Sequence, residues 1–337
     1  MKIAVIGCGS IGERHALNAL AFGEVCIVDP DKQRTEALAA KGATVFADVD
    51  AALDWSPDGI VIATPNASHI DIAIQCLETS ASILIEKPLT TSMKKVRSLL
   101  SIATKKRNNE KIYGVCNLRF HPGPAALKRH LDKIGKPLFS RIHFGSYLPA
   151  MRPNRDYKTI YASNYEEGGG VVLDTIHEID LASWLLGPIE RAGGASARLS
   201  DLEINVEDYA EIHLVHATGV RSQVHMNYLQ RLKTRGCEIV GTEASLLWSS
   251  IGKRPEHMSV DLLAKDEKVT SLEKIPSVNS ADMYTDLMSA FVHSIQDPSS
   301  SELQTLEEAI ATLSTALSIR IKPDSREHWQ NIEDTTE

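Results

Sequence analysis

Three groups of residues in this 337-residue chain have the types and spacing that chemistry needs. The first is Glu86-Lys87-Pro88, which closes a short apolar run. A lysine at such a strand end can polarise a carbonyl or steady an alkoxide. By itself a Glu-Lys pair reads equally as a surface ion pair. The second group is Gly168-Gly169-Gly170 followed by Asp174, His177, Glu178 and Asp180. A carboxylate three residues from a histidine on a helix shares its face, orients the ring and raises its basicity, as a general base near neutral pH requires. A histidine between acids is also common as a solvated or first-turn residue. The third group is Gly7-Cys8-Gly9-Ser10-Ile11-Gly12, with Asp29 about 20 residues further on. Here the first glycine permits a tight turn, the second admits a pyrophosphate, and the third lets a helix pack close to a strand. Asp29 is placed to bond ribose hydroxyls, which favours NAD(H) over NADP(H). Lys32 and Arg34 just beyond it partly offset that preference. The alternative is a glycine turn that binds nothing.

These groups need a scaffold, and the first 120 residues supply the pattern of one. Nearly continuous apolar runs at residues 2–6, 24–28, 43–46, 59–63, 82–85 and 112–116 read as strands buried on both faces. Amphipathic stretches at 11–22, 32–40, 67–78 and 92–105 alternate with them, so the expectation is a doubly wound parallel α/β domain. Both Ala63-Thr64-Pro65-Asn66 and Glu86-Lys87 then fall at the carboxyl edge of the sheet, where ligands of such folds bind. For the former, a plain strand-to-helix turn capped by Ser68 is the alternative. After Pro122 the rhythm changes. A helix at 123–131 and a strand at 138–146 precede a loop rich in Pro, Arg, Asn and Tyr at 148–165. The glycines at 168–170 open an amphipathic helix that should run to Gly187-Pro188. Residues 189–275 alternate as successive antiparallel strands. Helices at 283–295 and 306–319 follow, and the tail from Asp324 reads as polar and frayed. The expected division is a Rossmann domain over 1–120 and an α+β domain with a large open antiparallel sheet over 121–330.

Composition narrows the partners. A net charge of −8 argues against nucleic acid and anionic membranes. The five cysteines are widely spaced without a C-x-x-C, which suits free thiols in a reducing compartment rather than disulfides or a zinc site. No metal is expected. No signal-type segment or membrane-length apolar run is seen, so the expected location is the cytoplasm.

Taken together, Gly7–Gly12, Ala63–Asn66, Glu86-Lys87-Pro88, Asn117-Leu-Arg119-Phe-His121-Pro122 and Gly168 to Gly187 resemble the glucose–fructose oxidoreductase / inositol dehydrogenase (Gfo/Idh/MocA) family. The resemblance implies an NAD(P)-dependent oxidoreductase that moves hydride between nicotinamide and a hydroxyl or keto carbon of a sugar, cyclitol, sugar acid or sugar nucleotide. It also implies an oligomer, homodimer or homotetramer, built on the open sheet. By resemblance Lys87, His177 and Asp174 take the catalytic positions. Thr64, Pro65, Asn66, Glu86 and Lys87 line the cofactor with Gly7, Gly9, Ser10, Ile11, Gly12 and Asp29. The family pattern reads Asp-x-Gly-x-His, whereas Asp174-Thr-Ile-His177 is one residue shorter and lacks the glycine. Aligned from Trp184-Leu-Leu-Gly187, His177 keeps its place and Asp174 turns by about 100° around a helix.

Arg119, Arg152, Arg155, Tyr157, Tyr161, Gln230 and Arg235 are the candidates for substrate contact. Arginine forks suit carboxylates and phosphates, and tyrosine faces suit sugar rings, so an anionic carbohydrate is the expected class. Those arginines also read as partners of surface acids. Two other functions fit the same residues: an NAD-retaining glycosidase of the family, and a cofactor-binding regulator without turnover.

Overall fold

The computed structural model describes residues 1–106, 109–253, 255–322 and 325–334. They divide into two compact units, Met1–Asn117 with Ala281–Ile310, and Leu118–Ser280 with the segment from Ala311.

The first unit begins with β1 (Lys2–Ile6), α1 (Ser10–Ala19), β2 (Glu24–Val28), α2 (Lys32–Ala39), β3 (Thr44–Val45), α3 (Val49–Asp54), β4 (Gly59–Ile62), α4 (His69–Cys76), β5 (Ser82–Ile85), α5 (Met93–Lys106) and β6 (Ile112–Gly114). The strands pair in parallel in the order β6-β5-β4-β1-β2-β3. Chain order reverses beside β1, so β1 and β4 flank the switch point where such sheets bind ligands. Ile3 to Ile6, Ile60 to Ile62 and Ile83 to Ile85 are buried throughout, which explains their unbroken apolar sequence.

The second unit contains α6 (Pro122–His130), β7 (Pro137–Tyr147), α7 (Leu148–Met151), α8 (Val171–Asp174), α9 (His177–Leu186), β8 (Ile189–Ala197), β9 (Tyr209–His216), β10 (Arg221–Asn227), β11 (Leu229–Gly241), β12 (Ala244–Ile251), β13 (His257–Ala264) and β14 (Val269–Ile275). The chain then forms α10 (Asp282–Gln296), β15 (Gln304–Thr305), α11 (Leu306–Ile319) and β16 (Glu327–Asp334). Among the described residues the second unit forms a nine-stranded sheet, β14-β13-β12-β11-β7-β10-β9-β8-β16. All its pairings are antiparallel except β10 with β7. Helix α6 packs on β12, where the Trp248 indole fills the space that a side chain at Gly123 would need.

Three expectations change. Among its described residues the polar tail is not frayed: β16 pairs with β8 and extends the sheet by an edge strand, while Asp324 itself lies outside the described residues. The helix read as continuous from Gly170 to Gly187 is broken. Thr175, at φ −109° and ψ 32°, ends α8, and α9 starts afresh at His177. The Thr175 hydroxyl turns back to donate to the Val171 carbonyl at 2.5 Å, a local bond that competes with helix continuation. Finally, α10 and β15 return to the first unit. Tyr113 meets Phe291 edge-on at 6.5 Å, and β15 adds an antiparallel edge to β6. Gly59 carries no side chain because a Cβ there would lie 2.7 Å from Ile295.

Candidate active site

The glycine turn after β1 is built by steric necessity. Gly7 adopts φ +92°, and a Cβ on it would lie 2.7 Å from the backbone of Ala63 and Thr64. A Cβ on Gly12 would lie 1.8 Å from the Gly7 carbonyl oxygen, so α1 can pack this close only with glycine there. Gly9 is different, because the nearest atom to its missing Cβ is Arg34 Nη1 at 3.9 Å. The space beside Gly9 is therefore open. Gly9 also starts α1 without any side-chain cap. The first-turn N–H groups of Ser10, Ile11 and Gly12 have no intrahelical acceptor, and with the helix dipole they favour an anion. An open cradle at an uncapped helix start fits a dinucleotide pyrophosphate.

Asp29, just past β2, is held rigidly. Its Oδ2 accepts the Cys8 amide at 2.6 Å and its Oδ1 accepts the Asp31 amide at 2.8 Å. Arg34 approaches it to 3.9 Å and pairs with Asp31 at 3.1 Å. Burial, with the Asp29 charge, pushes the Cys8 thiol up to about 12, which keeps it protonated near neutral pH.

The loops after β4 and β5 are tied together by a residue absent from the expected site. The buried His69 ring lies 2.7 Å from the Thr64 carbonyl oxygen through Nε2 and 3.1 Å from that of Pro88 through Nδ1. Burial holds its pKa below the ordinary histidine value. Ser68 does not cap α4; its hydroxyl donates to Thr64 Oγ1 and to the Pro65 carbonyl, both at 2.9 Å.

Glu86 is anchored from α1. His15, fully buried, contacts Glu86 Oε1 at 2.8 Å, and Glu86 Oε2 accepts the Lys87 amide at 3.1 Å. Burial opposes ionisation of Glu86, but the His15 hydrogen bond and the charges of His15 and Lys87 outweigh it and hold its carboxyl below the usual range. The Tyr284 ring from α10 packs edge-on to His15 at 5.8 Å, with Arg14 stacked 4.6 Å from its centre. Burial and the Glu86 charge push the Tyr284 phenol up to about 12. Sequence reasoning missed His15, His69 and Tyr284. A histidine three residues beyond Gly12 was the available signal for the first; Tyr284 lies nearly 200 residues from Glu86 and had none.

In the second unit, His177 is buried and opens α9. Asp174 ends α8 and accepts two phenols, Tyr161 at Oδ1 and Tyr228 at Oδ2, the latter at 3.0 Å. Tyr228 is fully buried, and burial with the Asp174 charge raises its pKa well above the ordinary value. Tyr161 is half-buried. The other acids of α9 are matched. Arg119 forms two bonds to Asp180, at 2.9 and 2.7 Å, and Arg235 Nε donates to Glu178 at 2.6 Å. Two arginines expected at the substrate thus pair with buried carboxylates. Gln230 donates to Thr234 Oγ1 at 2.5 Å, and the Tyr157 hydroxyl accepts the Glu203 amide at 3.3 Å. Arg152 and Arg155 are exposed. Among the described residues no group of three His, Cys, Asp or Glu side chains could hold a metal ion, and no helix is long and apolar enough to cross a membrane.

A glycine cradle and a rigidly held carboxylate on a parallel sheet, with an acid-lysine pair at the same edge, suit an NAD-dependent oxidoreductase. Residues 1–113 match the oxidoreductase family GFO_IDH_MocA, described as an NAD-binding Rossmann fold, and residues 126–247 match the GFO/IDH/MocA C-terminal domain. The chain belongs to the Gfo/Idh/MocA family. It is 26% identical over 283 residues to scyllo-inositol 2-dehydrogenase (NAD(+)) of Bacillus subtilis, covering 77% of this chain and 76% of that protein. It is 24% identical to 1,5-anhydro-D-fructose reductase of Ensifer adhaerens, over 94% of each chain. An oxidoreductase from Agrobacterium radiobacter, solved with NAD+, L-tartaric acid and magnesium, shares the fold with a TM-score of 0.78 at 20% identity over 95% of each chain.

Proposed function

We propose that this enzyme oxidises and reduces a hydroxyl-bearing carbon of a sugar or cyclitol with NAD, using Lys87 and His177 as its chemical groups. The observation that carries this reading is the placement of Glu86-Lys87 at the carboxyl edge of the sheet that bears the Gly7–Gly12 cradle. When bound, NAD supplies the hydride acceptor or donor. Gly9, Ser10 and Ile11 hold its pyrophosphate through backbone N–H groups, Asp29 takes the ribose hydroxyls, and Thr64, Pro65 and Asn66 border it. The Lys87 ammonium polarises the reacting C–O bond, and the backbone amide held by Glu86 keeps its stem in place. The His177 imidazole takes the hydroxyl proton during oxidation and returns it during reduction. Asp174 acts through Tyr161, whose phenol donates to it.

Arg152 and Arg155 are the groups suited to an acidic substituent, since Arg119 and Arg235 are committed to Asp180 and Glu178. A homodimer or homotetramer formed through the nine-stranded sheet remains part of this reading, with sedimentation or light scattering of the purified protein as its test. Five free, buried cysteines support a reducing, cytoplasmic setting. The test is NADH formation from NAD+ across a panel of inositols, aldoses, sugar acids and nucleotide sugars. Lys87→Ala should lose roughly 10²–10⁴-fold in turnover while keeping NADH affinity. Turnover within a few-fold of the parent enzyme would remove Lys87 from the chemistry.

A further inference from the structure

Glu207 lies in the loop between β8 and β9, is fully buried, and takes no part in the chemistry above. Its surroundings are unusual for a carboxyl group. The Glu207 backbone carbonyl accepts the Val171 amide at 3.1 Å, and its side-chain Oε1 accepts the Val172 amide at 3.2 Å. Those are the first two residues of α8, the four-residue helix that ends in Asp174. A Cβ at Gly170 (φ +100°) would lie 2.2 Å from Oε1, so the carboxyl occupies the place where a side chain on the turn would sit. Oε2 has no hydrogen-bond partner among the described residues. From the other side, Arg320 Nη2 donates to the carbonyls of Tyr165 and Gly169, both at 2.9 Å, with its guanidinium 3.7 Å from the Tyr165 ring centre.

The same loop grips the segment that carries Tyr161. Lys158 pairs with Glu203, the Tyr165 amide donates to Asn205 at 2.7 Å, and the Glu203 amide donates to the Tyr157 hydroxyl. Residues 203–207 thus run beneath 157–172 as a continuous row of bonds. Tyr161 lies within the gripped segment and bonds to Asp174, two residues beyond it.

We propose that Glu207 is the positioning residue of the substrate side: its buried carboxyl seats α8 on the Gly168–Gly170 turn and so fixes the Asp174 carboxylate between Tyr161 and Tyr228. Burial favours the neutral carboxyl in that seat. Oε2 has no partner among the described residues, and the Arg320 charge with the amides of Glu207 and Val172 offsets the cost of burying an ionised group only in part. Burial raises the Glu207 pKa to about 7, against the pull of Arg320 and with Asp208 adding to the rise. The other groups bearing on it are Tyr228, held by Asp174, and the Tyr165 and Glu166 neighbours of Arg320. A folded-state pKa raised above the unfolded value means that the stabilisation is present in acid and is lost as pH rises through about 7. The seat therefore loosens between slightly acid and slightly alkaline solution.

The proposal builds on the reading that Asp174 and Tyr161 face substrate, but its test does not depend on turnover. Hydrogen exchange of amides in 157–175 is measured on the full chain at about pH 6 and about pH 8, corrected for intrinsic rates. The parent protein should protect this segment better at the lower pH. Glu207→Gln mimics the neutral acid and should show the lower-pH protection at both. Glu207→Ala should lose about tenfold or more at both, with the protection of α1 and β1 unchanged. Rescue by glutamine together with loss of the pH response separates positioning from mere packing. Parent-like protection in Glu207→Ala, or a pH response that survives in Glu207→Gln, would overturn the proposal. Absence of hydride transfer in the parent protein would count against the proposed function and leave this readout intact.

Discussion

Arg119 and Asp180 offer a quantitative test of what the second unit does with its charges. The guanidinium makes a bidentate pair with the carboxylate, and their side chains are only 4% and 2% exposed. Trp184 lies 5.8 Å below the guanidinium. Asp180→Asn would leave a buried arginine with a neutral partner. Breaking one side of such a pair costs about 3–5 kcal/mol, because the surviving charge stays desolvated. For a unit of this size about 2–4 °C of melting temperature accompanies each kcal/mol, so thermal unfolding should fall by roughly 6–20 °C. Replacing both partners, Arg119→Met with Asp180→Leu, should recover most of that loss, since neither charge then needs compensation. If Arg119 instead binds an anionic substrate, the double replacement would raise KM steeply for acidic substrates, and Asp180→Asn would leave the melt nearly unmoved. A melt for Asp180→Asn within about 2 °C of the parent would refute the argument from burial. So would failure of the double replacement to restore stability.

Other expectations concern the cofactor and the acid-base pair. NADH should raise the melting temperature more than NADPH at equal concentration, and Asp29→Ser should narrow or invert that gap; a parent preference for NADPH would overturn the role given to Asp29. His177→Asn keeps the shape of the ring but cannot titrate, so the pH–rate limb set by a histidine between about pH 5 and 8 should vanish with most of the turnover. Asp174→Asn and Tyr161→Phe should each raise KM by about tenfold and leave that limb in place, as expected for loss of one hydrogen bond to a charged group; a lost limb in either variant would make Asp174 part of the proton path.

The Rossmann unit was readable because its determinants are local. Gly7 and Gly12 are forced by contacts within their own turn and with Ala63, and strands buried on both faces advertise themselves as unbroken Val and Ile. The second unit depends on distant partners. Tyr161 and Tyr228 reach Asp174 from 13 and 54 residues away, and Arg119 reaches Asp180 across 61. No periodicity records such pairings. The break at Thr175 was hidden for another reason. Asp174, His177 and Asp180 have helical spacing, and that spacing cannot register one missing residue when the chain accommodates it by ending one helix and starting another. The tail was misread because its polar residues suit solvent, whereas β16 is an edge strand and needs little apolar sequence to pair.

The return of α10 to the first unit bears on how the polypeptide matures. Phe291 and Ile295 cover Gly59, Phe291 meets Tyr113, and Tyr284 closes over His15, so the cofactor fold borrows its last layer from residues made after eight of the nine strands of the second sheet have been synthesised. A nascent chain emerging from the ribosome exposes that apolar surface for most of its elongation, at some 5–20 residues per second. A fragment ending near residue 120 would carry the whole glycine fingerprint and still lack its own cover, which makes it prone to aggregate rather than a minimal NAD-binding module. The two units are discontinuous in the gene although compact in space, and the natural cut points for dissecting this enzyme lie in the chain before Ala281 as much as after Asn117.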